Sequence, residues 1–178
     1  MNGRQHAQRG YTLMELSLVL AISALVTATA LVLLAEPYRR ARARDLVARI
    51  QALDAQIRSR ARREGQAWQL EIDLRARTLA GVRRADGERL PQQVALGRTL
   101  GLVEVETSAR RSTYGRVQID YATNGQSPTF ALRLREPPDL DRWQFASGLS
   151  GVWTELTDHR EVEELFDAIR PEARAVAR

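Results

Sequence analysis

An uninterrupted apolar run near the N-terminus constrains this chain more than any other feature. The twenty residues from Leu16 to Ala35 include no charged side chain. Twenty residues of α-helix extend about 30 Å, which is the thickness of the hydrocarbon core of a bilayer. We therefore predict one transmembrane helix over residues 11–35. Glu15 lies at the start of this helix, where a carboxylate is costly in lipid and indicates a specific role.

The residues before this run form a motif. Residues 9–16 read RGYTLMEL, which places an aromatic residue directly after a glycine and an acid at the fifth position after it. This arrangement resembles the class III signal of type IV pilins and type II secretion pseudopilins. The resemblance implies that residues 1–10 are a leader, that a prepilin peptidase cuts between Gly10 and Tyr11, and that Tyr11 becomes the methylated N-terminal residue. The family usually has phenylalanine at this position.

The same resemblance assigns a role to Glu15. In the family this acid pairs with the N-terminal amine of a neighbouring subunit during filament assembly. A charge that finds its partner only in the assembly would act as a docking signal, because leaving it unpaired in an apolar medium is costly. At the cleavage point, Gly10 has no side chain that could block a peptidase cleft.

Two other interpretations of the N-terminus compete with this one. Residues 28–30 read ATA, a small-x-small pattern that ordinary signal peptidase cuts, but the apolar run continues for five positions beyond it. A plain membrane anchor is the second interpretation. Two arginines precede the run and nine lie between residues 39 and 63, so the positive-inside rule alone places the C-terminal part in the cytoplasm. The resemblance places it in the periplasm, and we adopt the more specific motif.

The composition excludes several classes of function. All 27 basic residues are arginine, and with 22 acids they give a net charge of +5, of which a cut after Gly10 would remove two. This mild excess does not favour nucleic acid as a partner. The chain has no cysteine, which excludes a disulfide framework and a thiolate site. Many pilins close a C-terminal loop with a disulfide, so its absence favours pseudopilins.

The sequence contains no catalytic constellation, phosphate-binding loop or cofactor motif. His6 belongs to the leader, and His159 is interpreted as a lone surface residue. Asp139 and Asp141 are too few for a calcium site, which needs six to eight oxygen ligands, and are interpreted as solvated loop acids. We therefore predict no enzyme activity, no cofactor and no metal.

Beyond the apolar run the helix is predicted to continue as an amphipathic helix over residues 36–64. Pro37 predicts a kink near residues 33–37, and Gly65 predicts the end of the helix. The arginines between 39 and 63 are interpreted as a solvated face that also touches anionic lipid headgroups. The apolar stripe on the other side repeats at spacings of four, three and four residues: Leu46, Ile50, Leu53 and Ile57.

After Gly65 the hydrophobic period changes to two, which predicts a β-rich head over residues 65–156. Its strongest signal is a hairpin, in which the alternating residues 117–121 and 130–134 flank an Asn124-Gly125 turn. Further strands are predicted at 68–74, 93–96, 102–106, 143–145 and 152–153, separated by turns or breaks at 85–88, 136–139 and 148–151.

The remaining residues, 157–178, form a C-terminal tail. We predict a short helix over residues 161–169 within it. Pro171 is expected to limit that helix, because proline lacks the backbone N–H that an α-helix needs.

Two segments of the head refine the resemblance. Residues 121–134 and 143–152 are similar to the H-type minor pseudopilins of type II secretion and to related minor pilins. With residues 9–75, the resemblance implies a pilin-like α+β fold, in which a long N-terminal helix packs on a small antiparallel β-sheet head. It implies a single-pass inner-membrane protein with a periplasmic head, a structural subunit at or near the tip of a short filament. The implied partners are the prepilin peptidase, other major and minor pseudopilins, inner-membrane lipid and secreted cargo.

Two alternatives to this function stay open. A minor pilin of a type IV pilus, including one for DNA uptake, would bind DNA through exposed arginines with a steep dependence on salt. A secreted enzyme with an uncleaved anchor would need a pocket with convergent polar groups, for which the sequence offers no candidate.

Overall fold

The computed structural model describes residues 13–96, 101–136 and 140–175. The chain divides into two compact units between Ala41 and Arg42. The described residues of the N-terminal unit, 13–41, are helical, whereas the C-terminal unit combines helices with two β-sheets.

Helix α1 runs from Leu13 to Glu64, which confirms the prediction of one continuous helix. Pro37 lies inside α1 and does not end it, and the kink expected near residues 33–37 stays a prediction. Gly65 follows the last helical residue with a φ of 62°, the left-handed conformation that commonly terminates a helix. The predicted end of the helix is therefore confirmed.

The described residues of the head form nine strands in two antiparallel sheets. The first sheet has four strands in the order β3-β2-β1-β6, and the second has five in the order β5-β4-β7-β8-β9. The strands are β1 (Trp68–Asp73), β2 (Thr78–Arg83), β3 (Arg89–Ala95), β4 (Gly101–Thr107), β5 (Arg111–Ser112), β6 (Arg116–Tyr121), β7 (Phe130–Glu136), β8 (Leu140–Ala146) and β9 (Trp153–Leu156). Together with the helices, these strands confirm the predicted α+β fold.

The main core of the head forms between the C-terminal part of α1 and the inner faces of both sheets. The predicted stripe on α1 is confirmed, because Ile50, Leu53 and Ile57 are buried and Leu46 packs against them. Strand β1 alternates as its sequence predicts, burying every second side chain. The largest side chains that complete this core are Trp68, Leu70, Ile72, Tyr121, Phe130 and Leu132.

The predicted hairpin between residues 117–121 and 130–134 is wrong. Strand β6 pairs with β1 in the first sheet, whereas β7 pairs with β4 and β8 in the second. The Asn124-Gly125 turn does form, since Gly125 N donates to Ala122 O at 2.8 Å with a glycine φ of 79°. However, this segment passes against α1, where a Cβ on Gly125 would lie 2.9 Å from Arg58 O. This segment therefore connects β6 of the first sheet to β7 of the second sheet, and does not form a hairpin between them.

Strands β2 and β5 were not predicted from the sequence, and most of the other strands are longer than predicted. Strand β2 reads TLAGVR and buries three consecutive residues, so it lacks the alternation that marks a half-buried strand. Gly81 is closely packed, because a Cβ there would lie 2.5 Å from Leu90 Cδ1 and 2.9 Å from Ile57 Cγ1, so these core side chains would have to shift. Strand β5 has only two residues. Strands β3 and β4 begin before the predicted 93–96 and 102–106.

The C-terminal helix is longer than predicted. Helix α2 runs from His159 to Ala175 and continues through Pro171, so the expected limit at that proline is wrong. One proline removes a single backbone hydrogen bond, and the remaining bonds carry the helix past it. Helix α2 covers the outer face of the second sheet and forms a smaller core there, made of Ala131, Trp143, Phe145, Val162 and Phe166.

Candidate assembly segment and buried ion pair

The first part of α1 exposes apolar side chains on every side. Residues Leu13–Leu31 have a mean hydropathy of 1.9, and no part of this stretch is buried. By length and composition it can cross a membrane, although a signal sequence would have the same properties. A helix that is apolar all round requires an apolar surrounding, which lipid or other apolar helices provide. This segment, residues 13–31, is the candidate assembly segment.

Three of its hydroxyl side chains bond to backbone carbonyls within the helix. Ser17 Oγ donates to Met14 O at 2.8 Å, and Thr27 Oγ1 donates to Ser23 O at 2.7 Å. Thr29 Oγ1 donates to Leu25 O at 3.0 Å. Such bonds remove the cost of an unpaired hydroxyl in lipid, so these residues do not prevent the segment from spanning a bilayer.

Glu15 lies in the first turn of α1, and its side chain is exposed. A negative charge is favourable there, because the helix dipole places partial positive charge at the N-terminus. Gly10 and Tyr11 lie outside the described residues. The cleavage point, the methylated residue and the role of Glu15 in assembly therefore stay predictions.

Comparison with known protein families gives a match that includes this segment. Residues 5–31 match the family described as Prokaryotic N-terminal methylation motif. The chain carries a prepilin-type methylation motif. The match includes Gly10, Tyr11 and Glu15 and extends to the end of the apolar stretch. It confirms the motif that was identified from residues 9–16.

No curated protein matches the sequence significantly. Among solved structures, two of the minor pseudopilin EpsH from the type 2 secretion system of Vibrio cholerae align with this chain. The TM-scores are 0.46 and 0.48, and the sequence identities are 19% and 18%. Each alignment covers 61% of this chain, and 90% and 91% of the respective EpsH chains.

The second notable site of the molecule is an ion pair buried in the head. Arg58 Nε donates to Asp54 Oδ2 at 2.9 Å, one turn apart on α1. Only 1% of Asp54 and 5% of Arg58 is exposed. Taking two charges out of water costs several kcal/mol per ion, about as much as the pairing returns, so further hydrogen bonds are needed to hold such a pair.

The additional bonds to Asp54 come from the two sheets. The hydroxyl of Tyr121, at the end of β6, donates to Asp54 Oδ1. The indole Nε1 of Trp153, at the start of β9, donates to Asp54 Oδ2 at 3.2 Å. Burial, followed by the negative charge of Asp54, raises the pKa of Tyr121 well above its ordinary value. The phenol is therefore held as a neutral donor to the carboxylate.

The additional bonds from Arg58 go to two connecting segments. Its Nη1 donates to Gly125 O at 3.2 Å and to Gly148 O at 2.8 Å. Its Nη2 donates to Ser127 Oγ at 3.0 Å and to Ser147 O at 3.3 Å. One side chain thus holds the β6–β7 connection, residues 122–129, and the β8–β9 turn, residues 147–152, against α1.

The sequence analysis assigned Arg58 to a solvated face, and that assignment is wrong. The signal that could have found it is positional. Asp54 follows Ile50 by one turn, and Arg58 follows Asp54 by another, so both flank the apolar stripe that faces the core. An acid and an arginine four residues apart beside a buried stripe are candidates for a buried pair.

Two other interpretations need correction. His159 is not alone, since its Nε2 lies 3.0 Å from Glu106 Oε2 and its ring lies 4.9 Å from that of Trp143. Asp141 is in strand β8 opposite Arg135, which places its carboxylate between two arginines. Burial opposes the ionisation of Asp141, but hydrogen bonds from Arg133 and Arg135 outweigh it and lower the pKa of the carboxyl. Asp139 lies outside the described residues.

Within the described ranges, no three His, Cys, Asp or Glu side chains are grouped so as to hold a metal ion. The two features that stand out instead are an exposed apolar helix with an acid in its first turn, and an ion pair that holds two surface segments of the head.

Proposed function

We propose that this chain is a minor pseudopilin, a structural subunit of the periplasmic pseudopilus of a type II secretion system, at or near its tip. The observation that carries this proposal is the prepilin-type motif directly followed by an exposed apolar helix. A motif for cleavage and methylation, attached to a helix of bilayer length, equips a protein to enter the membrane and then leave it for a filament. The absence of cysteine and the H-type pattern of residues 121–134 and 143–152 favour type II secretion.

In this proposal the prepilin peptidase cuts between Gly10 and Tyr11 and methylates Tyr11. The precursor is a single-pass inner-membrane protein whose head lies in the periplasm. Glu15 then pairs with the N-terminal amine of the neighbouring subunit. The apolar side chains of residues 13–31 exchange lipid for the helices of other major and minor pseudopilins, which retains their apolar surrounding. Secreted cargo would contact the head.

The proposal is tested by co-expressing the full chain with a prepilin peptidase and measuring its intact mass and N-terminal sequence. We expect a methylated Tyr11 as the first residue. Gly10→Ala is the control, because a methyl group at the cleavage point should obstruct the peptidase cleft and reduce processing. An unprocessed wild-type chain would indicate a plain anchor, and a cut after Ala30 would indicate a secreted soluble protein. Either result would overturn the proposal.

Deletion of the gene in its own host separates type II secretion from a type IV pilus. The proposal predicts that protein export into the medium is lost while surface pili and DNA uptake persist. Loss of pili with intact export would instead support the minor-pilin alternative. Binding of the purified chain to DNA should then also be measured over a range of salt concentrations.

A further inference from the structure

The β8–β9 turn presents an apolar side chain on a fixed backbone. Leu149 is 70% exposed, although the residues around it are tightly bonded. Gly151 N donates to Ser147 O at 2.9 Å within the turn, and Ser147 O and Gly148 O both accept from Arg58. Because the backbone is already ordered, a partner that covers Leu149 would pay little conformational entropy. This arrangement is suited to recognition by another protein.

Beside Leu149 lies an open cleft of about 380 Å³. Its walls come from the last turns of α1, the β6–β7 connection and the β8–β9 turn, and include Gln51, Arg62, Asn124, Gln126 and Ser150. All these elements belong to the head. We call the surface formed by this cleft and Leu149 the turn face.

The turn face has a positive charge without a counterion. Arg62 is exposed, and it makes no ion pair with any residue that the structure describes. The other cation of the cleft, Arg58, is neutralised by Asp54 and directs its donors to that carboxylate, Ser127 Oγ and backbone carbonyls. The charge available to a partner is therefore that of Arg62. A guanidinium with free donors matches a carboxylate in shape and charge.

We propose that the turn face binds an acidic segment of a different filament subunit. An aspartate or glutamate of that segment pairs with Arg62, and an adjacent apolar side chain packs on Leu149. The inference rests on the proposed function, because it takes the neighbour to be another pilin-like subunit. A second copy of this chain fits less well, since a symmetric contact through this face would bring two Arg62 side chains together.

The proposal also explains why the head retains a buried ion pair. Apolar residues of similar volume are often as stabilising as such a pair, or more so. What they could not do is hold the carbonyls of both Gly125 and Gly148 with one side chain. Arg58 is thus a positioning residue, which orients the two segments that form the turn face.

Site-specific cross-linking in the full chain tests this proposal. The photoreactive residue p-benzoylphenylalanine replaces Leu149 in cells that express the complete secretion system, and adducts are sequenced by mass spectrometry. We expect an adduct with a peptide that contains an acid beside an apolar residue and that comes from another protein with a prepilin-type N-terminus. The same probe at Tyr114, which is 74% exposed in another turn, should not give this adduct.

Charge reversal supplies the decisive comparison. Arg62→Glu should reduce the yield of the Leu149 adduct about tenfold, because two negative charges would then face each other across the interface. Arg63→Glu is the matched control, since it is the next residue on α1, is also exposed and does not line the cleft. It should leave the yield unchanged. Replacing the partner's acid with arginine should restore the adduct of the Arg62→Glu variant.

The N-terminal sequence of each sample separates the two proposals. A processed chain whose adduct does not depend on Arg62, or is with lipid or a second copy of this chain, would overturn the turn-face proposal and leave the proposed function intact. An unprocessed chain with an adduct that depends on Arg62 would overturn the proposed function and leave the turn-face proposal intact. An unprocessed chain without such an adduct would overturn both.

Discussion

Two stretches of helix α1 obtain their stability from different surroundings. Residues 13–31 expose apolar side chains all round, and their hydroxyl groups bond to carbonyls three or four residues earlier in the same helix. Residues 50–61 bury one apolar stripe, and the charged pair beside it is satisfied by groups far along the chain, such as Tyr121 and Gly148. The first stretch is specified by its own composition, whereas the second depends on the rest of the head.

The same contrast separates two ion pairs on α1. Asp45–Arg49 and Asp54–Arg58 have the same spacing and the same order of charges. The side chains of the first pair are 59% and 64% exposed, whereas those of the second are 1% and 7% exposed. An exposed pair contributes little to stability, but removing one member of a buried pair leaves an uncompensated charge in the core. The surroundings, not the spacing, decide the energetic consequence.

The largest expected effect is that of Arg58→Ala. This variant leaves Asp54 buried without its counterion, which should lower the free energy of unfolding of the head by about 3–5 kcal/mol. Urea unfolding of the full chain in detergent, followed by tryptophan fluorescence, measures this loss.

Arg49→Ala is the matched control, because it removes the same side chain from an exposed pair on the same helix. It should change the free energy of unfolding by less than about 0.5 kcal/mol. If the two variants lose equal stability, the ion pair in the head does not have the buried character described here. A double substitution, Asp54→Leu with Arg58→Met, removes the uncompensated charge but leaves the Tyr121 hydroxyl and the Trp153 indole without their acceptor, so it should recover only part of the loss.

A charge in the apolar stretch should have the next largest effect. Ala24→Arg is expected to disfavour membrane insertion by about 2.5–3.5 kcal/mol, because arginine at the centre of a spanning helix must be taken out of water. The fraction of protein that resists alkaline carbonate extraction measures insertion. Ala52→Arg introduces the same charge at an exposed position of α1 in the head and should leave extraction unchanged. Equal extraction of both variants would show that residues 13–31 do not span the membrane.

Local signals predicted those parts of the fold that depend on local interactions. The apolar stretch, the stripe through Ile50, Leu53 and Ile57, and the end of α1 at Gly65 follow from composition, periodicity and backbone conformation. The motif at residues 9–16 could be identified because its chemistry resides in adjacent residues. These features need no knowledge of the partner across the core.

The errors arose where a distant partner decides the outcome. The Asn124-Gly125 sequence forms a turn, but the strands on its two sides do not pair with each other. Strand β6 pairs with β1, and strand β7 pairs with β4. In the sequence Arg58 cannot be distinguished from the solvated arginines near it, because one of its acceptors, Gly148 O, lies 90 positions away along the chain. Strand β2 could not be identified by alternation, because its three consecutive residues Leu79, Ala80 and Gly81 are all buried.

The smallest of the expected effects tests the polar bonds around Asp54. Tyr121→Phe removes the buried hydroxyl that donates to this carboxylate, and should cost about 1–3 kcal/mol in the free energy of unfolding. Tyr114→Phe changes an exposed ring and should cost nothing measurable. Urea unfolding at neutral pH distinguishes the two variants.

The pH dependence of this difference has a definite sign. Tyrosine in an unfolded chain has a pKa of about 10, and in the folded head burial, then the charge of Asp54, raises the pKa of Tyr121 well above that value. The folded state therefore holds this proton more tightly than the unfolded chain does. The contribution of the Tyr121 hydroxyl to the free energy of unfolding is complete below a pH of about 10 and is lost as the pH rises further. The stability difference between wild type and Tyr121→Phe should accordingly narrow above that pH. A difference that stays constant or widens would contradict the raised pKa of Tyr121, and with it the burial of the phenol beside the carboxylate of Asp54.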